Sequence, residues 1–295
     1  MTGDYFLGCP SWGLSDWVGT LYRRGSKSKD FLTQYARVFN TVEGNTTFYG
    51  VPNAETVERW RDATPESFHF CFKVPRAITH ERALVGVDRE MTAFLDRLRP
   101  LGPRLGPIMV QLPPAFAPQH LDRLERLLAT LPSDLCFAVE VRHREFYDHD
   151  DTRRRLDDLL AHFACERVIM DTRALRSGPA GHPDVAQARF KKPDLPVAPV
   201  ALGRRPLLRF ISHPEDDVNT PWLGLWAGAV AGWIREGRRP YVFVHCPNDR
   251  HSPGTARRFH GILSEILAKD SRDLSPMPEW PGEEPVEEKG QLSLF

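Results

Sequence analysis

The sequence predicts an α/β protein built as a TIM-type (β/α)8 barrel, and two observations support this fold. Eight short runs rich in β-branched and aromatic residues recur along the 295-residue chain. Segments whose apolar residues have helical spacing separate these runs. Alternating strands and helices imply a parallel sheet with helical crossovers, and eight such units in a chain of this length match a closed barrel. An open doubly wound sheet is the alternative, but no Gly-x-Gly-x-x-Gly turn follows the first run.

The predicted strands and helices alternate in a regular order. The strands cover residues 5–9, 39–43, 68–73, 108–112, 136–141, 167–171, 207–212 and 241–245. Helical spacing is clearest in residues 91–98, 121–128 and 156–163, where leucines and other apolar residues recur every three or four positions. Asn53 is predicted to introduce a helix, and Thr220 is predicted to cap a helix whose first residue is Pro221.

The composition favours one large barrel domain, residues 1–270, followed by a flexible tail, residues 271–295. The tail is rich in proline and glutamate, a composition that cannot bury a core. No apolar run is long enough to span a bilayer and the first residues lack a secretory signal, so we expect a cytoplasmic protein without a membrane partner. The 39 basic and 39 acidic residues balance, which argues against coating nucleic acid through charge alone. The five cysteines form no Cys-x-x-Cys pair, so no zinc ribbon is expected.

The last five residues are interpreted as a docking peptide. They are Gln291, Leu292, Ser293, Leu294 and Phe295. They resemble the pentapeptide that bacterial proteins insert into the DNA polymerase sliding clamp, where a glutamine amide binds a polar pocket and apolar side chains fill a groove. The resemblance predicts the sliding clamp as a partner. The alternative is that the three apolar residues fold back onto the barrel surface.

Polar and aromatic side chains follow nearly every predicted strand. They are Trp12, Glu43, Asn45, Lys73, His80, Gln111, Glu140, Arg142, Asp171, Arg209, His213, His245 and Asn248. Because TIM barrels gather their active sites at the C-terminal ends of the strands, we expect these residues to surround one pocket for a polar or anionic ligand. The alternative is a buried ion network in which the charges only neutralise one another.

Three of these residues are candidates for catalysis. Glu43 and Glu140 would form an acid and base pair if their neighbours separate the two pKa values. Lys73 would hold a phosphate or, once desolvated, form a Schiff base. The other strand-end residues would bind the ligand. No cofactor follows from the sequence, and no close histidine spacing identifies a metal site.

One long irregular stretch, residues 176–205, interrupts the barrel pattern before the seventh strand. It contains five prolines and the basic residues Lys191, Lys192, Arg204 and Arg205. Loops of this length inside a compact domain are usually functional lids or disordered segments. The basic character predicts a lid that faces a phosphate, with a solvated crossover as the alternative.

Several blocks together resemble the YecE-like family, domain of unknown function 72. The blocks are Gly8-Cys9-Pro10-Ser11-Trp12, Val42 to Tyr49, Phe72-Lys73 with Ile78-Thr79-His80, Gln111-Leu112-Pro113-Pro114, and Val139 to Arg142. They occur in the family's order over about residues 5–269, and they imply a TIM-type barrel. Cys9-Pro10 and Thr46 replace residues typical of the family. The resemblance implies no reaction, and a likeness of fold to endonuclease IV and xylose-isomerase-like enzymes cannot assign one.

Three hypotheses for the function follow. The first is a barrel recruited to DNA by its clamp-binding tail, whose mouth binds or processes a phosphorylated or nucleic-acid ligand, with hydrolysis as the candidate reaction. The second is a sugar or sugar-phosphate isomerase, lyase or hydrolase that uses Glu43 and Glu140 for proton transfer. The third is a non-catalytic adaptor in which only the tail matters.

Overall fold

A computed structural model describes residues 5–283 of the chain. Within that range the chain forms the predicted TIM-type barrel, and its strands lie where the sequence pattern placed them. The strands are β1 (Phe6–Gly8), β2 (Thr41–Gly44), β3 (His69–Phe72), β4 (Ile108–Gln111), β5 (Phe137–Glu140), β6 (Glu166–Asp171), β7 (Leu207–Ile211) and β8 (Tyr241–His245). All their pairings are parallel, as the alternation of strands and helices predicts.

The helices cover the outside of the barrel and the loops at its C-terminal end. They are α1 (Ser28–Val38), α2 (Thr46–Tyr49), α3 (Ala54–Asp62), α4 (Asp88–Leu98), α5 (Leu121–Thr130), α6 (Glu145–Asp148), α7 (Asp150–His162), α8 (Arg173–Ser177), α9 (Pro183–Lys191), α10 (Asp216–Arg235) and α11 (Ser252–Ala268). A short π-helical turn, Ala77–Glu81, follows β3. Asn53 caps α3 as predicted, because its side chain accepts from the Thr56 N–H at 2.8 Å. No helix between residues 5 and 283 is long and apolar enough to cross a membrane.

The barrel consists of a six-stranded sheet, in the order β1-β8-β7-β6-β5-β4, and a two-stranded sheet of β2 and β3. Few backbone hydrogen bonds join the two sheets. The Val74 N–H donates to the Met109 carbonyl at 2.9 Å on one side, and the Glu43 N–H donates to the Cys9 carbonyl at 3.1 Å on the other. The seams on either side of β2 and β3 are therefore held by few main-chain bonds.

Side chains supply the missing bonds between β1 and β2. The Tyr35 hydroxyl accepts from the Cys9 N–H at 2.7 Å and donates to the Thr41 carbonyl at 3.0 Å. Asn40 accepts from the Leu7 N–H at 2.8 Å with its side-chain oxygen. Gly8 is required at this seam, since a Cβ there would lie 2.0 Å from the Thr41 carbonyl oxygen. Buried backbone groups that a strand ladder would normally satisfy are thus satisfied by two side chains.

Side chains inside the barrel follow the two-residue period of the strands. An apolar layer fills the N-terminal half: Phe6, Cys71, Met109, Ala138, Val168, Leu207, Tyr241 and Phe243. Two residues further along most of these strands, the same inward positions carry polar groups. They are Lys73, Gln111, Glu140, Arg209 and His245, joined by Glu43 of β2. An apolar plug therefore supports a charged layer at the C-terminal end.

The start of α10 differs from the sequence prediction. The helix begins at Asp216, so Pro221 lies inside it and Thr220 is not its cap. The buried Asn219 side chain accepts from the His213 N–H and donates to the His213 carbonyl, both at 2.8 Å. These two hydrogen bonds stabilise a helical turn ahead of Pro221. Proline has no N–H to donate, and so close to the start of the helix this costs a single backbone hydrogen bond.

The packed part of the chain continues past residue 270, where the sequence predicts the tail to begin. Residues 271–283 lie against the barrel, with Leu274 and Trp280 only 6% and 8% exposed. The Arg257 guanidinium lies 3.5 Å over the Trp280 ring and pairs with Glu283 at 2.8 Å. Leu274 and Trp280 thus hold residues 271–283 against the barrel, although the composition of this segment predicts a flexible chain. The packed part extends at least through Glu283. The docking pentapeptide lies outside the described residues.

Replacing Tyr35 by phenylalanine is expected to lower the free energy of unfolding by about 1–3 kcal/mol, because the Cys9 N–H and the Thr41 carbonyl lose a buried partner. Urea denaturation measures the change. Tyr49→Phe removes a hydroxyl from a side chain that is 77% exposed, and it serves as the matched control with no expected change. Equal stabilities of the two variants would contradict the role of Tyr35 at the seam.

Candidate functional site

Two cavities of similar size lie at opposite ends of the barrel. One, of about 520 Å³, lies at the N-terminal ends of β5 to β8, beside Cys136, Glu166 and Arg205. The other, of about 530 Å³, opens at the C-terminal ends of the strands and is called the mouth here. The mouth is lined by Pro10, Asn45, Phe48, Tyr49, Lys73, Arg76, His80, Gln111, Arg142, Lys192, Arg209, His245 and Asp249. TIM barrels place their chemistry at the C-terminal end, so the mouth is the candidate site.

Arg209, on β7, is the centre of the charged layer. Its guanidinium donates twice to the Glu43 carboxylate, at 2.8 and 2.9 Å, and its remaining nitrogen donates to Glu140. All three side chains are at most 1% exposed. The planar guanidinium therefore bridges β2, β5 and β7 through the barrel interior, a geometry that lysine cannot reproduce.

Two further groups contact Glu43. The Lys73 ammonium lies 2.8 Å from one carboxylate oxygen, and Nε2 of His245 lies 3.0 Å from the other. Burial alone would raise the pKa of Glu43, but Arg209, Lys73 and His245 lower it well below its usual value. Burial lowers the pKa of His245 to about 3, so the ring is neutral and its Nε2–H donates to Glu43. Nδ1 of His245 is then an acceptor.

Glu140 and its neighbours form the other side of the network. The Arg142 guanidinium donates to Glu140 at 2.7 Å. Burial would raise the pKa of Glu140, but Arg209 and Arg142 lower it to about 2. Gln111, on the neighbouring strand, is 5% exposed, and its side-chain oxygen has no hydrogen-bond partner among the described residues. A buried acceptor without a donor costs free energy, and it suits a ligand that carries a hydroxyl or another donor.

Residues 176–205, the lid segment, bring one more cation to the mouth. The segment contains α9 and is held by Arg176, which donates to the Arg189 and Lys192 carbonyls at 3.2 and 2.8 Å. Asp184, near the start of α9, accepts from the Asn248 amide at 2.9 Å and thereby ties the segment to the loop after β8. These contacts position Lys192 on the mouth. The role of the segment as a lid stays a prediction.

The mouth has more positive than negative charge. The buried network contains two carboxylates, Glu43 and Glu140, against Lys73, Arg142 and Arg209. Lys192 adds a further cation without an ion pair among residues 5–283. Burial is the main cause that lowers the pKa of both lysines to about 8, and the charge of Arg209 lowers it further.

One acidic side chain, Asp249, also lines the mouth. Its carboxylate accepts from the Cys246 N–H at 3.2 Å and from the Ser252 hydroxyl at 3.4 Å, and burial raises its pKa. An ionised Asp249 offsets one of the four positive charges of Lys73, Arg142, Arg209 and Lys192, and Glu43 and Glu140 offset two more, so a positive surplus remains. Arg76, at the rim, pairs with Glu81 at 3.2 Å.

The structure brings together most of the residues that the sequence singled out. Glu43, Asn45, Lys73, His80, Gln111, Glu140, Arg142, Arg209 and His245 all lie at or directly beneath the mouth. Asn45 holds the loop after β1, because its amide donates to the Pro10 carbonyl at 2.8 Å. His80 lies on the rim with its ring edge against Phe48, and burial and Arg142 lower its pKa.

Four predicted ligand-binding residues do not line the mouth. Asp171 points outward from β6. Val168 of the same strand faces the barrel interior, and because side chains alternate along a strand, Asp171, three residues later, faces the helices. There it accepts from the Trp226 indole at 2.7 Å and pairs with Arg173 at 2.8 Å. Asp171 therefore anchors α10 against the barrel, and its prediction as a ligand contact is corrected.

The other three have structural contacts as well. Both ring nitrogens of His213 are occupied, by the Pro179 carbonyl at 3.1 Å and by the Glu215 N–H at 3.1 Å. Trp12 packs edge-on against Trp60, with ring centroids 5.5 Å apart. Asn248 is exposed and holds Asp184 of the lid segment. A side chain that follows a strand thus does not always face the mouth, because some of these residues anchor loops or helices instead.

Sequence reasoning did not select several residues that line the mouth: Pro10, Phe48, Tyr49, Arg76, Lys192 and Asp249. Signals for some of them existed. Phe48 and Tyr49 belong to one of the family blocks, Lys192 to the basic lid segment, and Asp249 follows Asn248 directly.

The arrangement limits the chemistry that the mouth can perform. The pKa values of Glu43 and Glu140 are lowered together rather than separated, so in this geometry both carboxylates hold cations and neither is a ready proton donor. Lys73, with a pKa near 8, suits an anion contact or a nucleophile. Among residues 5–283, no group of three or more His, Cys, Asp or Glu side chains has the arrangement to hold a metal ion. The catalytic assignment of Glu43, Lys73 and Glu140 stays a prediction.

Replacing Glu140 by glutamine is expected to weaken the acid dependence of stability. Because the pKa of folded Glu140 is lowered from 4.5 to about 2, its ionised form stabilises the folded protein above pH 4.5, and this contribution is lost as the pH falls toward 2. Between pH 5 and pH 3, the parent protein should lose more free energy of unfolding in urea than the variant, by about 1–2 kcal/mol. Glu145→Gln, an exposed control, should retain the parent dependence. Identical pH dependences for all three proteins would contradict the assignment.

Known proteins share this architecture. The family described as "Protein of unknown function DUF72" matches residues 6–279. The UPF0759 protein YecE of Escherichia coli is 36% identical over 276 residues, which cover 94% of this chain and 97% of that protein. The UPF0759 protein YunF of Bacillus subtilis is 30% identical over 150 residues, which cover 48% of this chain and 52% of YunF.

Solved structures agree with the fold. A DUF72 family protein of Thermotoga maritima superposes with a TM-score of 0.68 at 23% identity and covers 88% of this chain and 98% of its own. A DUF72 family protein of Enterococcus faecalis superposes with a TM-score of 0.67 at 20% identity, with 93% and 98% covered. These likenesses concern the fold alone, whereas the family match and the similarity to YecE extend over nearly the whole sequence. The chain therefore belongs to the DUF72 family, to which its sequence blocks pointed.

Proposed function

We propose that the mouth binds a phosphorylated ligand, either a nucleic acid or a phosphorylated small molecule. The observation that carries this proposal is the positive surplus around an open cavity. Lys73, Lys192 and Arg142 border the space where a ligand would lie, and the two buried carboxylates are already shared with Arg209. Charge-assisted hydrogen bonds from such groups are the usual contacts of a phosphate in proteins.

A network that only neutralised itself would need no further anion. The alternative of a salt-bridged plug explains Glu43, Glu140 and Arg209, which are buried and paired with one another. It does not explain Lys192, which a separate segment brings to the mouth. It also does not explain the unpartnered oxygen of Gln111. A ligand with one anionic group and one hydrogen-bond donor would satisfy both.

Lys192→Gln is expected to weaken the binding of pyrophosphate by about 10- to 100-fold at pH 7, because a charge-assisted hydrogen bond contributes about 1.5–3 kcal/mol. Titration calorimetry measures the affinity. Lys191→Gln is the matched control: the neighbouring lysine is exposed and does not line the mouth, so less than a threefold change is expected.

The pH gives a second readout of the same site. The charge of sulfate is constant between pH 7 and pH 9, whereas both lysines with a pKa near 8 lose their protons over this range. Sulfate affinity should therefore fall as the pH rises. Indistinguishable affinities of the Lys191 and Lys192 variants, together with a flat sulfate profile, would overturn the proposal.

We propose in addition that the protein works at the DNA sliding clamp through its last five residues. The support is the sequence of the pentapeptide, with Gln291, Leu292, Leu294 and Phe295 at the positions that a clamp groove would contact. This proposal is independent of the mouth. It favours a nucleic acid over a free metabolite as the phosphorylated ligand, because the clamp encircles DNA.

Removal of residues 291–295 is expected to abolish binding to a bacterial sliding clamp, measured by calorimetry with the full-length protein as reference. Phe295→Ala should weaken binding by about 2 kcal/mol or more, as loss of an apolar anchor does. Ser293→Ala leaves the proposed anchors intact and serves as the control. If the full-length and shortened proteins bind the clamp equally, or neither binds it, the pentapeptide is not a clamp ligand.

A further inference from the structure

The short helix α2 presents an aromatic side chain at the mouth that the core does not use. Tyr49 lines the mouth and is 77% exposed. Exposed aromatic side chains of this size lose the benefit of burial, and one that borders a charged cavity is a candidate for ligand contact.

The ring is exposed on a fixed element rather than on a loose loop. Thr47, buried in the same helix, donates to the Lys73 carbonyl at 2.7 Å and thereby ties α2 to the end of β3. Phe48 lies between Tyr49 and His80, with ring centroids 5.3 and 5.0 Å away and near-perpendicular ring planes. The exposed Tyr49 ring therefore belongs to a helix that is fixed to the end of β3, and it lines the same cavity as Lys73.

We propose that the mouth holds a nucleotide unit, with its phosphate among Lys73, Lys192 and Arg142 and its base stacked on Tyr49. This inference rests on the proposed phosphate site and adds the chemical class of the ligand. A planar base can stack on an exposed tyrosine ring. The phosphate, joined to the base through a sugar, carries the negative charge that the cations of the mouth would bind. The donor groups of the sugar or base would also suit the free oxygen of Gln111.

The nucleotide unit has two possible sources, a free nucleotide and a single strand of nucleic acid. A strand would extend beyond the mouth, and a second exposed ring near Lys192 in the sequence is a candidate contact for it. Phe190 is 92% exposed and lies on α9, two residues before Lys192. Contact with Phe190 is expected for a strand and not for a single nucleotide.

The experiment compares three probes on the full-length protein: deoxyribose 5-phosphate, thymidine monophosphate and a labelled twelve-residue oligothymidylate. Tyr49→Ala should weaken binding of both base-containing probes by about 5- to 100-fold, because stacking contributes about 1–3 kcal/mol per base. It should leave deoxyribose 5-phosphate within about twofold of the parent affinity. Tyr49→Phe keeps the ring and should restore the affinity for both base-containing probes. Phe190→Ala should weaken the oligonucleotide alone if the source is a strand, and no probe if it is a free nucleotide.

Two results would overturn the inference in different ways. If Tyr49→Ala leaves all three affinities unchanged while Lys192→Gln lowers them, the phosphate site stands and base stacking is wrong. If the parent protein binds none of the probes and no pyrophosphate, the phosphate site itself fails, and the nucleotide inference fails with it.

Discussion

The guanidinium of Arg209 is the interaction on which the candidate site depends. Burying one arginine and two glutamates is expensive unless every charge is paired. Here the planar donor group faces Glu43 from β2 and Glu140 from β5, so strands from opposite parts of the barrel are linked through its interior. Once both carboxylates are committed to Arg209, Lys73 and Arg142 share them and retain capacity for another anion.

The seam between β1 and β2 connects barrel closure with this network. The main-chain N–H of Glu43 donates to the Cys9 carbonyl at 3.1 Å, and the Tyr35 hydroxyl holds the same two strands together. The hydrogen bonds of the Tyr35 hydroxyl therefore help to set the backbone position of Glu43, and with it the position of its carboxylate. Stability of the seam and geometry of the mouth are linked, because a shift of β2 would move Glu43 away from Arg209.

The lid segment completes the mouth from outside the barrel. Arg176 holds the carbonyl of Lys192, and Asn248 holds Asp184, so the loops after β6 and β8 fix the position of a cation that no strand supplies. Family membership explains the barrel and says nothing about the ligand. The features that favour a phosphorylated ligand are the positive charge, the open cavity and the unpartnered oxygen of Gln111.

The amino-acid pattern alone predicted the eight strands and the parallel barrel, because strand propensity and the alternation of strands and helices are visible in local sequence. It also predicted most of the charged layer, because the C-terminal ends of all barrel strands meet at one end of the barrel. It did not predict which way a strand-end residue faces. Asp171 lies one residue out of phase with the inward positions of β6, and the boundaries of a strand do not reveal that phase. Nor did it predict the docking of Trp280 under Arg257, or which lysine of the basic segment 176–205 lies at the mouth. Those depend on contacts between residues far apart in the chain, which form only when the folded barrel brings their elements together.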